Sequence, residues 1–228
     1  MMPTLIYCAG GNAGLVRIAY EVGWQLGVRS DKYHYPGYKL ALVDVDYKKP
    51  DFEKHLARVA KEQPMFATIP DLSDKMLDLN DVERALMQAE RLKDYCQTVL
   101  LVPKLLGQLE LIPAEYAIAF SIPTKYGGAK FHHSALTGRR VHLLGGSPQE
   151  QMRLYYQINT RFGGQVISAD GNMGQKMAMQ FLKYWERSRW VRWPDSSQSQ
   201  YYPCWQRTCE NVYQSWEVLT GESNQNEI

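Results

Sequence analysis

The sequence has little net charge, few cysteines and no long apolar run, and each shortage excludes a class of protein. Its 26 basic and 24 acidic side chains leave a formal charge of +2 at pH 7, so overall charge does not mark a nucleic-acid-binding protein. Four scattered cysteines fit a reduced compartment better than a disulfide framework. No secretory leader and no bilayer-length apolar run is visible. We therefore expect a cytoplasmic protein without a membrane partner.

Metal-ligand spacing is scarce as well. Cys204 and Cys209 lie five residues apart, and no second cysteine pair accompanies them. The adjacent His132 and His133 lack an obvious third ligand. The sequence therefore predicts no metal site and no cofactor.

What the sequence does contain is a regular alternation of short apolar runs and helical patterns. Residues at helical spacing follow most of the runs, as in Phe52, Leu56 and Val59. After the first run, the same spacing predicts one helix that contains Leu15, Ile18, Ala19, Val22 and Leu26. Continuous apolar strands separated by helices indicate a parallel sheet that is covered on both faces. The runs predict seven strands, at residues 4–9, 39–45, 65–69, 98–102, 116–122, 140–144 and 165–169.

The fold class that this alternation predicts is α/β, as a parallel (β/α) barrel of the TIM type. A closed eight-stranded barrel typically takes about 250 residues, so 228 residues and seven strands suggest a trimmed or incomplete one. An open doubly wound sheet is the alternative. We expect residues 1–186 to form the barrel, with a last helix at about 173–186. Residues 187–228 would form an aromatic, arginine-rich and helical extension packed on the same domain.

Polar residues follow most of the predicted strands. In a parallel sheet all such strand ends lie on one rim, so residues far apart in sequence converge there. Each residue taken alone is more simply explained as a turn former or helix cap. That explanation weakens for the whole set, because Pro-Asp, Pro-Lys and Pro-Thr-Lys repeat the same arrangement after apolar strands. The strand-end residues are Asp44, Asp46, Asp71, Lys104, Thr124, Lys125, Ser147 and Asp170.

Several carboxylates on one rim suit displacement at the anomeric carbon of a sugar. One ionised Asp attacks the carbon and forms a covalent glycosyl-enzyme, while a second handles the proton of the leaving or arriving group. A third carboxylate can accept hydrogen bonds from the N–H edge of a purine-like base. Clustered carboxylates could instead hold Mg²⁺, although such sites normally rely on substrate phosphates too.

From the fifth predicted strand onward, the sequence resembles the tRNA-guanine transglycosylase superfamily, which includes enzymes that insert 7-deazaguanines into DNA. Residues 139–148 (RRVHLLGGSP) are similar to the family's strand and loop of the form YLMGxGxP. Residues 166–170 (VISAD) fall where that family has its nucleophilic Asp, and residues 116–121 (YAIAFS) resemble the strand whose backbone touches the base. The resemblance implies a (β/α)8 barrel that exchanges guanine for a 7-deazaguanine, with Asp170 as the nucleophile.

Weaker similarities extend the resemblance toward the N-terminus. Residues 65–71 (MFATIPD) resemble the strand that ends in the base-recognising Asp, which implies Asp71. Residues 42–44 (LVD) resemble the strand that delivers the acid/base Asp, which implies Asp44, with Asp46 as its rival. Together with the strand-end positions, the resemblance nominates substrate-binding residues, namely Asp71, Lys104, Ser121, Thr124, Lys125, Gly145, Gly146, Ser147 and Asn172.

Three departures from the family's pattern bear on the partner. The CxCxxC…H zinc insert is absent, as is the SGGFQ that follows the acid/base Asp, and Pro103-Lys104 stands in place of the expected Gln. Because the zinc insert is missing, the sequence favours DNA over tRNA as the nucleic-acid partner. The second substrate would be a small 7-deazaguanine-type base. So small a chain could require a homodimer or an accessory protein to grip a polymer.

The C-terminal segment interleaves arginines with aromatic residues. That pattern suits phosphate contact combined with base stacking, and equally an aromatic helical lid packed on the barrel with solvated arginines. The first interpretation nominates nucleic-acid contacts at Arg187, Arg189, Trp190, Arg192 and Trp193.

The leading hypothesis is therefore a nucleobase-exchanging glycosyltransferase, a pentosyltransferase that works through an Asp170 intermediate. Two alternatives remain open. One is a non-catalytic barrel that binds a nucleotide or modified base as a sensor or sequestering protein. The other is an N-glycoside hydrolase, in which water resolves the same intermediate.

Overall fold

We describe the fold from a computed structural model, which covers residues 1–8, 12–33, 36–125, 127–195, 197 and 200–221. The last seven positions of the predicted C-terminal extension, 222–228, lie outside the described residues. Within these ranges, no helix combines the length and hydrophobicity needed to cross a bilayer.

Eight parallel strands pair in sequence order and close into a barrel. Closure is made by the first and last strands, in which Thr4 pairs with Ser168 and Ile6 pairs with Asp170. This pairing confirms the predicted parallel barrel and excludes the open sheet. The strands are β1 (Thr4–Cys8), β2 (Gln25–Arg29), β3 (Leu40–Asp44), β4 (Phe66–Thr68), β5 (Thr98–Leu101), β6 (Ala117–Ser121), β7 (Arg140–Leu144) and β8 (Gln165–Gly171).

The strands alternate with helices of unequal length. Among the described residues, the connections from β2 to β3 and from β6 to β7 contain no α-helix, and the second contains the 3₁₀ turn His133–Leu136. Because these connections are short, 228 residues are enough to complete the barrel. The barrel therefore keeps all eight strands and is shortened only in its helices. The helices are α1 (Ala13–Val22), α2 (Phe52–Glu62), α3 (Leu79–Leu92), α4 (Leu106–Leu111), α5 (Pro148–Tyr156, continued by the π-helical turn Gln157–Arg161), α6 (Met173–Phe181) and α7 (Tyr201–Thr220).

The predicted count of seven strands was wrong, because β2 was read as part of the preceding helix. Leu26 does fall at helical spacing after Val22, but Gly23 has a φ of 108°. This left-handed conformation, which glycine adopts readily, ends α1 there. Trp24 then leads directly into β2, whose three central residues are buried. One glycine thus decides between a longer helix and an eighth strand.

The predicted last helix, 173–186, was also too long. The observed helix, α6, ends at Phe181, because Leu182 adopts a left-handed φ of 46°. A hairpin follows, formed by β9 (Lys183–Glu186) and β10 (Arg189–Arg192). The expected boundary between residues 186 and 187 therefore falls at the tip of this hairpin.

Helix α7 belongs to the barrel wall. It contacts α1 and α5 as well as α6 and β9. Trp205 of α7 packs against Tyr7 of β1 with ring centroids 5.0 Å apart, and its indole N–H donates to the Leu15 carbonyl at 3.0 Å. The C-terminal helix thereby covers the seam where β1 meets β8.

Period-two alternation divides the core into two layers. Ala117 and Ala119 of β6 face the small cluster inside the barrel, while Ile118 and Phe120 face the larger cluster between strands and helices. The inner cluster is narrow and aliphatic except for Phe66. Burial of this apolar surface on both faces is the main stabilising term in such a sheet.

Candidate active site

A cavity of about 990 Å³ opens at the carboxyl ends of the barrel strands. Active sites of parallel barrels lie on this face, because the strand-to-helix loops converge there. Each strand contributes a lining residue from its end or from the loop just after it, namely Cys8, Arg29, Asp44, Asp71, Lys104, Ser121, Leu144 and Asp170. We call this space the mouth cavity.

Asp170, the predicted nucleophile, lies at the end of β8 and is 6% exposed. The Cys8 thiol donates to its Oδ2 at 2.7 Å, and the Gly145 N–H donates to its Oδ1 at 2.9 Å. Cys8 ends β1 and Gly145 directly follows β7, and these two strands flank β8, so barrel closure itself brings both donors to the carboxylate. Hydrogen bonds of this kind stabilise the charged form of a carboxyl.

Below Asp170, His142 occupies the interior of the barrel with no solvent exposure. Its Nε2 lies 3.4 Å from Asp170 Oδ1, and its Nδ1 lies 2.8 Å from Ser168 Oγ. Burial would raise the pKa of Asp170, but the contact with His142 and the donors Cys8 and Gly145 outweigh it and hold that pKa below its ordinary value. Asp170 is therefore ionised near neutral pH.

Asp44 shows the opposite behaviour. It ends β3, is half-buried and lines the mouth cavity. Burial raises the pKa of Asp44 to about 7, with help from the negative charges of Asp170 and Asp71 and against a hydrogen bond from Thr68. The Thr68 hydroxyl donates to Asp44 Oδ1 at 2.6 Å and accepts from the Val45 N–H at 2.9 Å, which fixes the orientation of the carboxyl. Near neutrality, Asp44 exchanges a proton.

A second pair of polar groups lies on the adjacent part of the rim. Lys104 Nζ is 2.7 Å from Asp71 Oδ2, and the lysine side chain is 9% exposed whereas that of Asp71 is 37% exposed. Gln108 holds the lysine backbone in place by accepting from its N–H at 2.8 Å. The open carboxylate of Asp71 is thus presented to the cavity by a buried cation.

The loop after β7 is shaped by two glycines with left-handed backbones. Gly145 has a φ of 75° and Gly146 a φ of 84°. A Cβ on Gly146 would lie 2.8 Å from Ile122 Cδ1, so the position is restricted by space as well as by conformation. Gln151 ties this loop to β8 by donating to the carbonyls of Gly145 at 2.8 Å and Asp170 at 2.6 Å.

The structure brings most of the predicted site residues together. Of the predicted catalytic residues, Asp44 and Asp170 line the mouth cavity. So do seven of the nine predicted substrate-binding residues, which are Asp71, Lys104, Ser121, Thr124, Gly145, Gly146 and Asn172.

Three predicted residues lie outside the cavity lining. Asp46 forms an ion pair with Arg29 at 3.6 Å. Ser147 caps α5, where its hydroxyl accepts from the Glu150 N–H at 3.2 Å, as a helix cap does. Lys125 is exposed on the loop after β6. The geometry therefore separates Asp44 from its rival Asp46.

Cys8, Arg29, His142 and Gln151 were missed as site residues by the sequence reasoning. His142 packs inside the barrel, and its contact with Asp170 depends on the register between β7 and β8. Arg29 ends β2, the one barrel strand that the sequence analysis does not predict. Only Cys8 carried a usable signal, since it ends the first apolar run on the same rim.

The predicted nucleic-acid contacts lie on the C-terminal hairpin, and none of them lines the mouth cavity. Trp190 packs edge-on against the buried Trp185 with centroids 5.3 Å apart. Trp193 packs against Tyr184 at 5.5 Å, and its indole N–H donates to Gln200 at 3.2 Å. Both aromatic rings are thus engaged in packing, whereas Arg187, Arg189 and Arg192 are exposed.

Fold and site together define a (β/α)8 barrel protein with a carboxylate-lined mouth. The chain belongs to the family of unknown function DUF6610, whose model matches residues 19–217. No curated protein matches the chain. The resemblance to the transglycosylase superfamily is not tested by these comparisons and stays a prediction.

Proposed function

We propose that the mouth cavity cleaves an N-glycosidic bond and transfers the sugar to an incoming base, as a pentosyltransferase. The observation that supports this most directly is the contrast between two carboxyls in one cavity. Asp170 is held ionised and Asp44 has a pKa near neutrality. Carboxyls whose pKa values are driven apart by their surroundings commonly divide nucleophile and acid/base roles between them.

In the proposed reaction, an Asp170 oxygen attacks the anomeric carbon of a nucleotide. The bond from carbon to the base nitrogen breaks, an ester bond to Asp170 forms, and the Asp44 proton goes to the departing base. In the second half, the incoming base attacks the same carbon, displaces the Asp170 carboxylate and returns a proton to Asp44. Atoms and charge balance without a cofactor or an external oxidant.

Asp71 and Lys104 are placed to recognise the base. A carboxylate accepts from neighbouring N–H groups, as on the amide and amino edge of guanine, and an ammonium donates to a carbonyl oxygen. Their 2.7 Å contact sets the two groups side by side on the rim. This pair supports guanine and 7-deazaguanines as the bases exchanged.

The polymer carrying the nucleotide would have to present an extruded base, because a cavity of about 990 Å³ at a barrel mouth holds a nucleotide and not a duplex. We propose DNA as that polymer ahead of tRNA.

Water reaching the same ester would instead hydrolyse it and leave an abasic site. A site that binds a base without attacking sugar would be a sensor.

The test is a guanine-exchange assay run in parallel on DNA and tRNA. Radiolabelled guanine is followed into polymer, and the protein is examined by denaturing electrophoresis and mass spectrometry for a sugar adduct. The wild-type chain should incorporate label, Asp170→Asn should abolish incorporation and adduct together, and Asp44→Asn should slow turnover by about 10²- to 10⁴-fold. The matched control is Asp94→Asn, an exposed aspartate outside the cavity.

Two other outcomes would replace the proposal, and a third would change one residue assignment within it. An abasic product without incorporation means a hydrolase. If calorimetry shows tight binding of guanine without turnover, and Asp170→Asn still binds guanine, the chain is a binding protein. Slower turnover in Asp46→Asn than in Asp44→Asn would reverse the acid/base assignment.

A further inference from the structure

A second groove, of about 900 Å³, lies on the outer wall of the barrel between α5 with its π-helical turn, the tip of the β9–β10 hairpin and α7. None of its lining residues belongs to the mouth cavity. Four arginines line it and one carboxylate, that of Glu186. We call it the arginine groove, defined by Arg153, Arg161, Arg187 and Arg207.

The positive charge of this groove is poorly neutralised by the chain itself. Arg153 has a carboxylate partner, Glu150, whose Oε2 accepts from its Nε at 2.9 Å. In the part of the chain that the structure describes, Arg161, Arg187 and Arg207 form no ion pair, and all three are exposed. Like charges gathered around one groove repel each other, so an anion that binds there removes an unfavourable interaction.

The hairpin tip adds an independent observation. Arg187 and Ser188 form a two-residue turn in which both have positive φ, 45° and 70°. Turns of this kind strongly favour Asn-Gly or Gly-Gly, because side chains disfavour the left-handed region. The chain instead carries an arginine at a strained position on the groove's edge, and strain of this kind is frequently associated with function.

The lining of the groove is partly apolar. Tyr156 is 49% exposed and Val218 is 63% exposed, and both line it. The Arg161 guanidinium lies 5.8 Å from the centroid of the Tyr156 ring, which keeps the ring beside a cation. An exposed ring among arginines offers stacking and phosphate contact in one place, which is the combination that single-stranded nucleic acids use.

We infer that the arginine groove binds single-stranded nucleic acid, with phosphates on Arg161, Arg187 and Arg207 and a base against Tyr156. Of the residues predicted from sequence as nucleic-acid contacts, only Arg187 lies in this groove. The site does not depend on the chemistry at the barrel mouth, since the two share no residue.

The test is fluorescence anisotropy with labelled dT20 and U20 oligonucleotides and the full chain. Arg187→Gly combined with Arg207→Ala removes two phosphate contacts. On single strands, each phosphate contact contributes about 0.7 to the slope of log affinity against log salt concentration. The double variant should therefore bind roughly 25-fold more weakly at 0.1 M salt, and this slope should be smaller in magnitude by about 1.4. Tyr156→Ala should weaken binding without changing that slope. Excess free guanine, the base proposed for the mouth cavity, should not displace either oligonucleotide, which separates this site from the mouth.

Controls distinguish lost binding from lost folding. The matched control, Arg17→Ala with Arg84→Ala, removes the same charge from helix surfaces outside the groove and should retain affinity to within about threefold, because phosphate contact is local. Arg187→Gly alone relieves the strained turn, so its melting temperature should not fall while its affinity does.

Four results would overturn the inference. The first is a wild-type chain that binds neither oligonucleotide at 0.05 M salt. The second is a greater loss of affinity in Arg189→Ala with Arg192→Ala than in the groove variant. The third is binding of poly-glutamate in preference to both oligonucleotides, which would mark an acidic protein partner. The fourth is a wild-type dimer in sedimentation that the groove variant dissociates without any oligonucleotide binding.

Discussion

Replacing Asp44 with Asn should stabilise the protein at neutral and alkaline pH and have little effect in acid. The pKa of Asp44 is raised from 3.8 to about 7, so the folded chain holds this proton more tightly than the unfolded chain does. The stability that protonation supplies is fully present below about pH 4 and is lost as pH rises through 7. Three pKa units at about 1.4 kcal/mol each amount to about 4 kcal/mol. This is an upper value, because water that enters the cavity screens the charge.

Asn is a suitable probe because it stays neutral and keeps an oxygen that can accept from Thr68. Urea unfolding of wild type and Asp44→Asn, measured between pH 4 and pH 8.5, gives the difference in unfolding free energy at each pH. That difference should be near zero at pH 4, grow through pH 5 to 7 and level off near 3–4 kcal/mol in favour of Asn. Asp94→Asn should show no comparable growth, because its side chain is exposed.

A difference that stays flat across the range would refute the reasoning, since it would mean that folding leaves the pKa of Asp44 unchanged. A variant that is less stable than wild type at pH 8 would also refute it. The result does not depend on any catalytic role. If Asp44→Asn is more stable at neutral pH, the chain retains at its barrel mouth a carboxyl that lowers its stability. Residues of functional sites commonly lower stability in this way.

Three further predictions concern the Asp170 hydrogen bonds, the loop after β7 and the tip of the β9–β10 hairpin. Cys8→Ala removes a donor from Asp170, so the variant should lose about 1 kcal/mol of unfolding free energy at pH 7 in urea titrations. The pH-dependent part of this loss should vanish as the pH falls below the ordinary aspartate range. Cys8→Ser should retain more of the wild-type unfolding free energy than Cys8→Ala does. Gly146→Ala combines a φ of 84° with a Cβ contact of 2.8 Å, so it should destabilise by about 1–3 kcal/mol, and an unchanged melting temperature would contradict the assigned turn. Arg187→Gly should stabilise by about 1 kcal/mol in the same measurement, and a loss of stability would show that the arginine side chain contributes more than its strained backbone costs.

Much of the candidate site was predictable from sequence because strand ends in a parallel sheet share one rim. Asp44, Asp71, Lys104 and Asp170 follow recognisable apolar runs, so their meeting required only the correct fold class. Their chemical states were not predictable. The pKa of Asp44 depends on burial and on the carboxylates across the barrel, and neither is encoded near residue 44.

The C-terminal segment shows the limit of local pattern. Arginines interleaved with tryptophans indicate a nucleic-acid contact and a packed helical lid equally well. The structure buries Trp185, Trp205 and Trp216 in the core and leaves the arginines outside. The aromatic half of the pattern is thus explained by packing, while the charged half contributes to a groove that α5 completes from elsewhere in the chain.

The class of fold and the rim on which the polar residues gather can both be predicted from the sequence, since they follow from apolar periodicity and from the residues that end strands. Tertiary structure decided the rest. It turned Leu26 from a helical residue into a strand residue through the left-handed Gly23, and it set Asp46 against Arg29 while leaving Asp44 in the cavity. It also brought Cys8 and His142 to Asp170 by closing β1 and β7 around β8. Such contacts join residues that are 28 to 162 positions apart, and only the closed barrel places them within hydrogen-bonding or ion-pair distance.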